Sequence, residues 1–339
     1  MPSSTRQWVL NTQPTTLPSL TGPSPTFTLT TNSLPTITPT QALIKPTLFS
    51  NDPAQRLWIP PLAKGEPLAS MALAEVIESG SPSDLPVGSI VFGRTTWSEY
   101  AVHEIAELRV VKPLEGLSLG HYHGALGWSG LTAYYGLIDK AKAGKEDTVV
   151  ISGAAGAVGS IAVQIARGIL GAKRVIGIAG SDEKCRWVEK LGADVCINYK
   201  KDGFEQDLVR ETEGGVDVFF DNVGGSLMEL MIPRMKTFGR IALCGAIGDY
   251  NRAEPHGIRN IFRIVPEGVT IYGFSVLHYL DKTDEVMDFL VQAWKDGKIV
   301  LDDSLETLVE AKFEEVPAIW MRLFEGRNTG KLVTRIFEY

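Results

Sequence analysis

The sequence predicts an α/β protein in which a doubly wound parallel sheet is inserted into a mostly antiparallel β domain. Between residues 125 and 301, apolar strand patterns alternate with helical patterns, which is typical of a parallel sheet covered by helices. Before and after that region, short strand patterns are separated by Gly and Pro turns. We therefore expect one domain made of residues 1–124 and 302–339, and a second domain made of residues 125–301.

The composition is that of a globular protein large enough for about two domains, with 339 residues, 44% hydrophobic and 22% charged. A net charge of −7 argues against a nucleic acid or an anionic membrane as partner. Three cysteines without a CxxC pair suit a reducing cytosol. The N-terminal residues do not resemble a secretory signal, and the apolar runs are too short to span a bilayer. We expect a cytoplasmic protein.

The first 50 residues carry two conflicting signals. Residues 11–40 are rich in Ser, Thr and Pro, a composition typical of a disordered tail. Residues 26–35 and 41–50, however, alternate apolar and polar side chains as strands do. We favour folded β-structure here, continued by strand patterns at 71–80, 88–93, 96–102 and 108–114.

The pattern of apolar residues changes at about residue 124, and over 124–141 these residues follow helical spacing. A strand at 148–153, a helix at 160–170 and a strand at 174–180 follow. Further strands are predicted at 196–199, 216–223, 239–245 and 269–276, with helices at 226–235 and 283–297. A helix at 316–326 and a strand at 330–339 complete the chain.

A glycine-rich turn joins the strand at 148–153 to the helix that follows it. It reads Ala154-Ala155-Gly156-Ala157-Val158-Gly159, the G-x-G-x-x-G pattern with alanine in place of the first glycine. Small residues permit a tight turn and a close approach of backbone N–H groups to a pyrophosphate, and the helix N-terminus adds a partial positive charge. A turn that binds no nucleotide could look similar, but the strand–helix–strand context favours a Rossmann nucleotide site.

The end of the second strand favours NADPH over NADH. An NAD site usually carries Asp or Glu there, whereas this chain has Gly180 and Ser181, followed by Asp182, Glu183 and Lys184. The small residues leave room for a 2′-phosphate, to which Lys184 can supply a charge. Two alternatives stay open: Lys184 could simply be solvated, and Asp182 could cap the helix or bind a ribose.

Seven motifs in chain order resemble the medium-chain dehydrogenase/reductase superfamily. They are LGWSGLTAYYGL (126–137), AAGAVGS (154–160), GSDEK (180–184), LGADVCINYK (191–200), DNVGG (221–225), FGRIALCGAI (238–247) and NTGK (328–331). The chain is most similar to the zinc-independent branch of prostaglandin reductases and plant alkenal double-bond reductases. This resemblance implies a GroES-like barrel domain, a cofactor cleft between the domains, a homodimer, and NADPH-dependent reduction of the C=C bond of α,β-unsaturated aldehydes or ketones.

The resemblance also assigns residues to the cofactor. Gly156, Ala157, Val158 and Gly159 would line the pyrophosphate, and Lys184 and Tyr199 would meet the 2′-phosphate. Asn222 would lie at the ribose, Cys244, Ala246, Ile247 and Phe274 near the nicotinamide, and Asn328 and Gly330 would close over the cofactor. Ordinary structural roles remain possible: a surface aromatic for Tyr199, an Asx-turn with Gly224 for Asn222, a small apolar packing group for Cys244 and a turn for Asn328.

The catalytic chemistry is predicted to need no metal. Three scattered cysteines cannot form the zinc sites of the metal-dependent members, and His121 and His123 have no third ligand nearby in sequence. Hydrogen bonds would then stabilise the substrate carbonyl oxygen, from the cofactor ribose or from Tyr250, which could equally be a loop aromatic. Ala54 stands where relatives often have a substrate-facing tyrosine, so substrate identity does not transfer.

Two other functions remain open from the sequence. A quinone oxidoreductase of the same superfamily would share the glycine turn and the missing zinc ligands. A catalytically idle NADPH-binding protein, a sensor or a structural protein, would share the cofactor motifs as well.

Overall fold

The structure is a computed structural model that describes residues 2–337. The chain divides into two compact units. The first unit contains the residues up to His123, Thr307–Asn328 and the segment that begins at Leu332. The second contains Gly124–Glu306 and Thr329–Lys331. The chain thus leaves the first unit, builds the second and returns.

The strands follow the apolar runs of the sequence. In chain order they are β1 (Ser4–Leu10), β2 (Phe27–Ser33), β3 (Gln41–Ser50), β4 (Ala69–Ser79), β5 (Ile90–Thr96), β6 (Ala101–Glu104), β7 (Arg109–Val110), β8 (Thr148–Ile151), β9 (Arg174–Ala179), β10 (Val195–Asn198), β11 (Val216–Asp221), β12 (Met235–Leu243), β13 (Thr270–Gly273), β14 (Glu306–Ala311) and β15 (Lys331–Ile336).

The α-helices lie mainly in the second unit. In chain order they are α1 (Trp128–Tyr134), α2 (Ala157–Gln164), α3 (Asp182–Lys190), α4 (Phe204–Glu211), α5 (Gly225–Met231), α6 (Ile264–Glu267), α7 (Thr283–Lys295) and α8 (Val316–Glu325). Helices α1 and α2 each continue into a wider π-helical segment, at Tyr135–Lys140 and Ile165–Ile169.

The first unit is antiparallel. A seven-stranded sheet has the order β14-β15-β3-β4-β5-β7, with β6 also paired to β3. Aromatic side chains dominate its core: the rings of Trp97 and Trp320 are fully buried and meet edge to face at 5.6 Å, and Phe27 lies 5.3 Å from Trp97. Such pairs add stability beyond the area they bury.

The N-terminal segment is folded, as the alternation of its residues predicts. Strands β1 and β2 pair in antiparallel register from Ser4↔Ser33 to Leu10↔Phe27. Val9, Leu10 and Phe27 are buried, and Leu10 and Phe27 belong to the core of the first unit. The Ser, Thr and Pro content therefore belongs to a two-stranded sheet with irregular connections and not to a disordered tail. Strand β1 was not predicted.

The second unit carries a six-stranded parallel sheet. Its order, β10-β9-β8-β11-β12-β13, is the Rossmann order 3-2-1-4-5-6. The order reverses between β8 and β11, which lie side by side although β9 and β10 intervene in sequence. The predicted fold class, a Rossmann sheet together with an antiparallel sheet, is confirmed.

Several predicted boundaries were wrong for local reasons. The helix predicted at 226–235 ends as an α-helix at Met231, because Pro233 starts a tighter turn over Ile232–Arg234. The strand predicted at 96–102 is interrupted between β5 and β6, and the one at 108–114 is reduced to Arg109–Val110. Helix α4 was missed, because among its residues only Leu208 is buried.

Membrane crossing finds no support in the helices. Within residues 2–337, none of them combines the length and the hydropathy that a bilayer span requires.

Candidate active site

The glycine turn lies between β8 and α2, at the carboxyl end of the sheet. Gly156 is the N-cap of α2, with φ −86° and ψ 176°, and Gly153 takes the positive φ of the turn at 57°. The residue that needs left-handed backbone is therefore Gly153, one position before the alanine that we aligned with the first glycine of the motif. A Cβ on Gly159 would lie 2.7 Å from Ala154 Cα and closer still to the Gly153 carbonyl oxygen, so α2 can approach the strand only at a glycine.

The returning segment reaches this turn through Gly330. Its N–H donates a hydrogen bond to the Ala155 carbonyl oxygen at 2.9 Å, and it forms an isolated parallel bridge with Gly156. Gly330 has φ +64°, and a Cβ there would lie 3.0 Å from Leu305 Cα and nearer to its carbonyl group. The structure thus brings Gly330 against the predicted pyrophosphate turn. Asn328 lies in the first unit and is half-buried.

The residues predicted to bind the 2′-phosphate lie at the ends of β9 and β10. Ser181 is the N-cap of α3, and its side chain accepts a hydrogen bond from the Lys184 N–H at 3.2 Å. The Tyr199 ring packs on Gly180, where a Cβ would lie 3.1 Å from ring atom Cε1. The Lys200 ammonium lies 5.8 Å from the centroid of the Tyr199 ring. Serine, tyrosine and lysine side chains therefore share one edge.

This edge concentrates positive charge. Partial burial, and then repulsion by Lys200, lower the pKa of Lys184, while Glu183 opposes the shift. Two ammonium groups that repel each other are stabilised by an anion between or beside them, and a 2′-phosphate is such an anion. The residues present therefore fit the phosphate group of NADPH.

Asp182 does not cap α3, and its carboxylate is bonded to other side chains at the surface. Its carboxylate accepts from Asn198 Nδ2 at 2.8 Å and pairs with Lys201 Nζ at 2.8 Å, so that Lys201 and then Asn198 lower its pKa. The cap is provided by Ser181 instead. The structure thus excludes the capping role for Asp182, and its ribose role stays a prediction.

The predicted ribose and nicotinamide residues meet at the ends of β11 and β12. Asn222 Nδ2 donates to the Ser152 carbonyl oxygen at 2.6 Å, and the Cys244 thiol donates to Asn222 Oδ1 at 3.1 Å. The Asx-turn considered for Asn222 is formed by its neighbour: the Asp221 carboxylate accepts from the Val223 and Gly224 N–H groups at 2.9 and 3.1 Å. Cys244 is half-buried.

The loop after β12 lies against the loop after β11. The Ile247 N–H donates to the Asn222 carbonyl oxygen at 3.2 Å. A Cβ on Gly224 would lie 3.0 Å from Ala246 Cβ. The Tyr250 hydroxyl accepts from the Ala246 N–H at 3.3 Å. Tyr250 is therefore placed with the predicted nicotinamide residues.

Phe274 follows β13 and packs into the same unit. A Cβ on Gly136 would lie 2.8 Å from its ring and nearer still to the ring of Phe220, so these two rings cover the backbone of Gly136. Phe274 is half-buried and its N–H donates to the Leu243 carbonyl oxygen at 3.2 Å. It thus lies beside the end of β12 that carries Cys244.

Glu229 of α5, which the sequence did not single out, holds the segment that follows Tyr250. Its carboxylate lies 2.8 Å from His256 Nε2 and accepts from the Arg259 N–H at 3.2 Å, and its carbonyl oxygen accepts from Asn260 Nδ2 at 2.7 Å. The neighbouring His256 ring and the Arg259 N–H lower the pKa of the Glu229 carboxyl. The sequence of this segment does not indicate a contact with Glu229, because Glu229 lies about 30 residues earlier in the chain.

Ala54 lies in the first unit, in a 3-10 turn over Pro53–Trp58. Asp52 caps the turn, accepting from the Ala54 N–H at 2.8 Å, while Gln55 closes a capping box. The Trp320 indole donates to the Asp52 carbonyl oxygen at 2.9 Å. Ala54 is thus held in a rigid turn.

His121 and His123 pack inside the first unit. Both are buried, and His123 Nε2 lies 3.0 Å from the Leu48 carbonyl oxygen. Within residues 2–337, no group of three or more His, Cys, Asp or Glu side chains is arranged to hold a metal ion.

Comparisons with known proteins identify the family of this chain. The model of the family described as "Zinc-binding dehydrogenase" matches residues 157–292, and the model described as "N-terminal domain of oxidoreductase" matches residues 6–111. Mouse prostaglandin reductase 1 is 36% identical over 324 residues, covering 91% of this chain and 93% of that protein. The 2-alkenal reductase (NADP(+)-dependent) of Nicotiana tabacum is 34% identical over 284 residues, covering 82% and 80%.

A solved structure resembles the whole chain. The crystal structure of CurA in complex with NADPH from Vibrio vulnificus has a TM-score of 0.89 and 30% sequence identity, covering 98% of this chain and 100% of that one. Because these relatives match over most of its length, the chain belongs to the medium-chain dehydrogenase/reductase superfamily, in the zinc-independent branch of prostaglandin and 2-alkenal reductases.

Proposed function

We propose that this enzyme is an NADPH-dependent reductase of the C=C bond in α,β-unsaturated aldehydes or ketones. The names of the prostaglandin reductase and 2-alkenal reductase relatives support the reaction, and the NADPH complex of CurA supports the cofactor. The observation that carries the cofactor choice is the cationic edge of β9 and β10, where Lys184 and Lys200 repel each other and an acid at the ribose position is missing. When bound, NADPH supplies the hydride that the β-carbon receives.

Different residues would bind different parts of the cofactor. The backbone of Gly156, Ala157, Val158 and Gly159 would receive the pyrophosphate, because the turn presents N–H groups at the start of α2. Lys184 and Tyr199, with Gly180 and Ser181, would hold the 2′-phosphate end. Asn222 would hold the ribose, and Cys244, Ala246, Ile247 and Phe274 would line the nicotinamide side.

Gly330 and Asn328 would complete the cofactor site from the returning segment. The contact of Gly330 with Ala155 and Gly156 supports this role. Ala54, where relatives often carry a tyrosine, would leave a wider substrate pocket. Ala54→Tyr is then expected to restrict turnover to short enals, and unchanged relative rates on short and long enals would contradict this assignment.

Tyr250 would stabilise the substrate carbonyl oxygen. Negative charge develops on that oxygen as the β-carbon is reduced, and a hydroxyl donor aimed at it lowers the barrier. The position of the Tyr250 hydroxyl beside Ala246, within the predicted nicotinamide residues, supports this role. Tyr250→Phe should lower kcat for an enal about a hundredfold, the lower end of the range for loss of one such donor. If kcat were unchanged, Tyr250 would be a packing residue.

A single assay separates the proposed function from its alternatives. NADPH oxidation is followed with an enal, an enone and a quinone, and the products are identified by mass spectrometry. A saturated aldehyde or ketone is expected. Oxidation by the quinone alone would indicate a quinone oxidoreductase, and tight NADPH binding without turnover of any of the three would indicate a sensor or structural protein.

We further propose that the protein forms a homodimer through the β13 edge of the parallel sheet. In the described chain β13 pairs only with β12, so its outer edge offers N–H and C=O groups to a partner. Large apolar side chains shortly before β13 in the chain are exposed, with Phe262 at 83% and Val265 at 68%. Exposed apolar patches beside an open strand edge are typical of subunit interfaces.

The dimer proposal is tested by light scattering after size-exclusion chromatography. Val265→Asp should shift the protein from a dimer to a monomer. Val209→Asp is a matched control, because Val209 is an exposed valine on α4, which packs near β10 at the opposite edge of the sheet. A monomeric wild type, or a dimer that survives Val265→Asp, would contradict the proposed interface.

A further inference from the structure

Asp221 is a buried acid for which the cofactor assignments provide no role. It ends β11 and is 0% exposed. Its Oδ1 accepts hydrogen bonds from Ser152 Oγ at 2.7 Å and from the Val223 N–H at 2.9 Å, and the Gly224 N–H lies 3.1 Å from both carboxylate oxygens. Each of these donors is neutral, and in residues 2–337 no cation pairs with the carboxylate. Burying a carboxylate without a cation is costly, so its presence points to a specific use.

The hydrogen bonds around Asp221 extend to the predicted ribose and nicotinamide residues. Ser152 Oγ, which donates to Asp221, also accepts from the Asn222 N–H at 2.8 Å. Asn222 in turn donates to the Ser152 carbonyl oxygen and accepts from the Cys244 thiol. The Cys244 N–H donates to the Asp221 carbonyl oxygen at 3.0 Å. One buried network therefore joins the carboxyl ends of β8, β11 and β12.

The Ser152–Asp221 hydrogen bond lies at a special place in the sheet. Strands β8 and β11 are the neighbours between which the strand order reverses. In open α/β sheets, ligands bind in the crevice outside the carboxyl ends of the strands at this reversal. The bond therefore joins the two strand ends by their side chains at this reversal.

We propose that Asp221 is a positioning residue that holds Ser152, Asn222 and the Cys244 loop in register for the nicotinamide half of the cofactor. This inference rests on the proposed function, since it presumes that NADPH binds across the reversal. Asp221 acts through its neighbours: its oxygens orient the Ser152 hydroxyl and the two N–H groups of the 223–224 turn, and the Ser152 hydroxyl orients the Asn222 backbone. The adenosine end, held by Lys184 and Tyr199, lies outside this network.

The experiment compares a whole cofactor with half of one. Binding of NADPH and of adenosine 2′,5′-bisphosphate is measured by calorimetry on the full-length wild type, Asp221→Asn and Ser152→Ala. Asp221→Asn turns one acceptor oxygen into an amide donor that faces at least the Gly224 N–H, and should weaken NADPH binding about tenfold to a hundredfold. Adenosine 2′,5′-bisphosphate, which lacks the nicotinamide half, should bind within about twofold of the wild type. Ser152→Ala should show the same selective loss, and it tests the network if Asp221→Asn does not fold.

The reciprocal variant and the other outcomes decide the inference. Lys184→Ala should weaken both ligands, because both carry the 2′-phosphate. Equal weakening of both ligands by Asp221→Asn would mean general damage to the fold and would overturn the positioning role, as would unchanged NADPH binding in both network variants. If the wild type bound neither ligand, the proposed function itself would be wrong, a result distinct from either of these.

Discussion

The two ends of the proposed cofactor site are built on opposite physical principles. At the ends of β9 and β10, charged and polar side chains lie near the surface: Lys184 is only partly buried, and Tyr199 is 51% exposed. At the ends of β8, β11 and β12, a fully buried carboxylate is surrounded by neutral donors. One end relies on charge close to water and the other on fixed hydrogen bonds in the interior.

We expect the exposed end to recognise the phosphate of the cofactor and the buried end to align the hydride donor. A surface cluster of ammonium groups can select a phosphate with little demand on geometry, and its strength depends on salt. A buried network of short hydrogen bonds tolerates little displacement, which suits a site where a hydride donor must be held in place. Substitutions at the buried end should therefore cost more stability, and substitutions at the exposed end should change selectivity.

The largest effect is expected where the backbone itself is packed. Gly159→Ala places a Cβ against the Gly153 carbonyl and should lower the free energy of unfolding by about 3 kcal/mol, at the upper end for overpacking. Gly144→Ala is the matched control, because a Cβ there meets nothing within 4 Å. Urea denaturation measures both. Equal stabilities of the two variants would show that the turn can relax.

Selectivity at the exposed end should change next in size. Lys184→Ala should weaken NADPH binding by roughly 1.5–3 kcal/mol, the range for a hydrogen bond to a charged group, and leave NADH binding unchanged. Lys190→Ala, an exposed lysine at the other end of α3, is the control. Fluorescence titration with both cofactors gives the ratio. Equal loss of both cofactors would exclude a 2′-phosphate role for Lys184.

A smaller, pH-dependent effect should distinguish the buried end. Burial raises the pKa of Asp221 in the folded protein, although hydrogen bonds from Val223, Ser152 and Gly224 oppose the shift. The folded state then holds this proton to higher pH than the unfolded state does, so stability falls as pH rises from the ordinary Asp value, near 3.9, through the folded pKa. Asp221→Asn lacks this contribution.

The measurement is the difference in free energy of unfolding between Asp221→Asn and the wild type. Relative to the wild type, the variant should gain stability as pH rises through that window and then level off. A difference that moves the other way would mean that the hydrogen bonds outweigh burial, and that the folded pKa is lowered.

The smallest effect is expected at Asp182. Its carboxylate is engaged by Lys201 and Asn198 at the surface, and exposed ion pairs contribute little. Asp182→Asn should therefore change NADPH and NADH affinity by less than about threefold in the titrations used for Lys184. A larger gain for NADPH alone would show that Asp182 repels the phosphate and belongs to the selective end.

Sequence patterns predicted those features that depend on local order. The alternation of strands and helices predicted the Rossmann sheet, and the glycine turn was located to within one residue of the Gly153 that carries the positive φ. Helix α4 and strand β1 were missed because their apolar faces are narrow or interrupted. The roles of Asp221 and Glu229 were missed because each has a side-chain partner that lies far from it in sequence, Ser152 for Asp221 and His256 for Glu229.

By itself, the sequence determined the fold class, the glycine turn and the membership of the family, because periodicity, small residues and ordered motifs are local properties of the chain. The tertiary structure decided that Asp182 does not cap α3 and that Asp221 is buried. It also decided that Gly330 contacts a turn more than 170 residues before it. Those facts depend on which strand ends become neighbours in the sheet. Hydrogen bonds such as that from Ser152 to Asp221 exist only after β8 and β11 pair, and no local pattern encodes that distance.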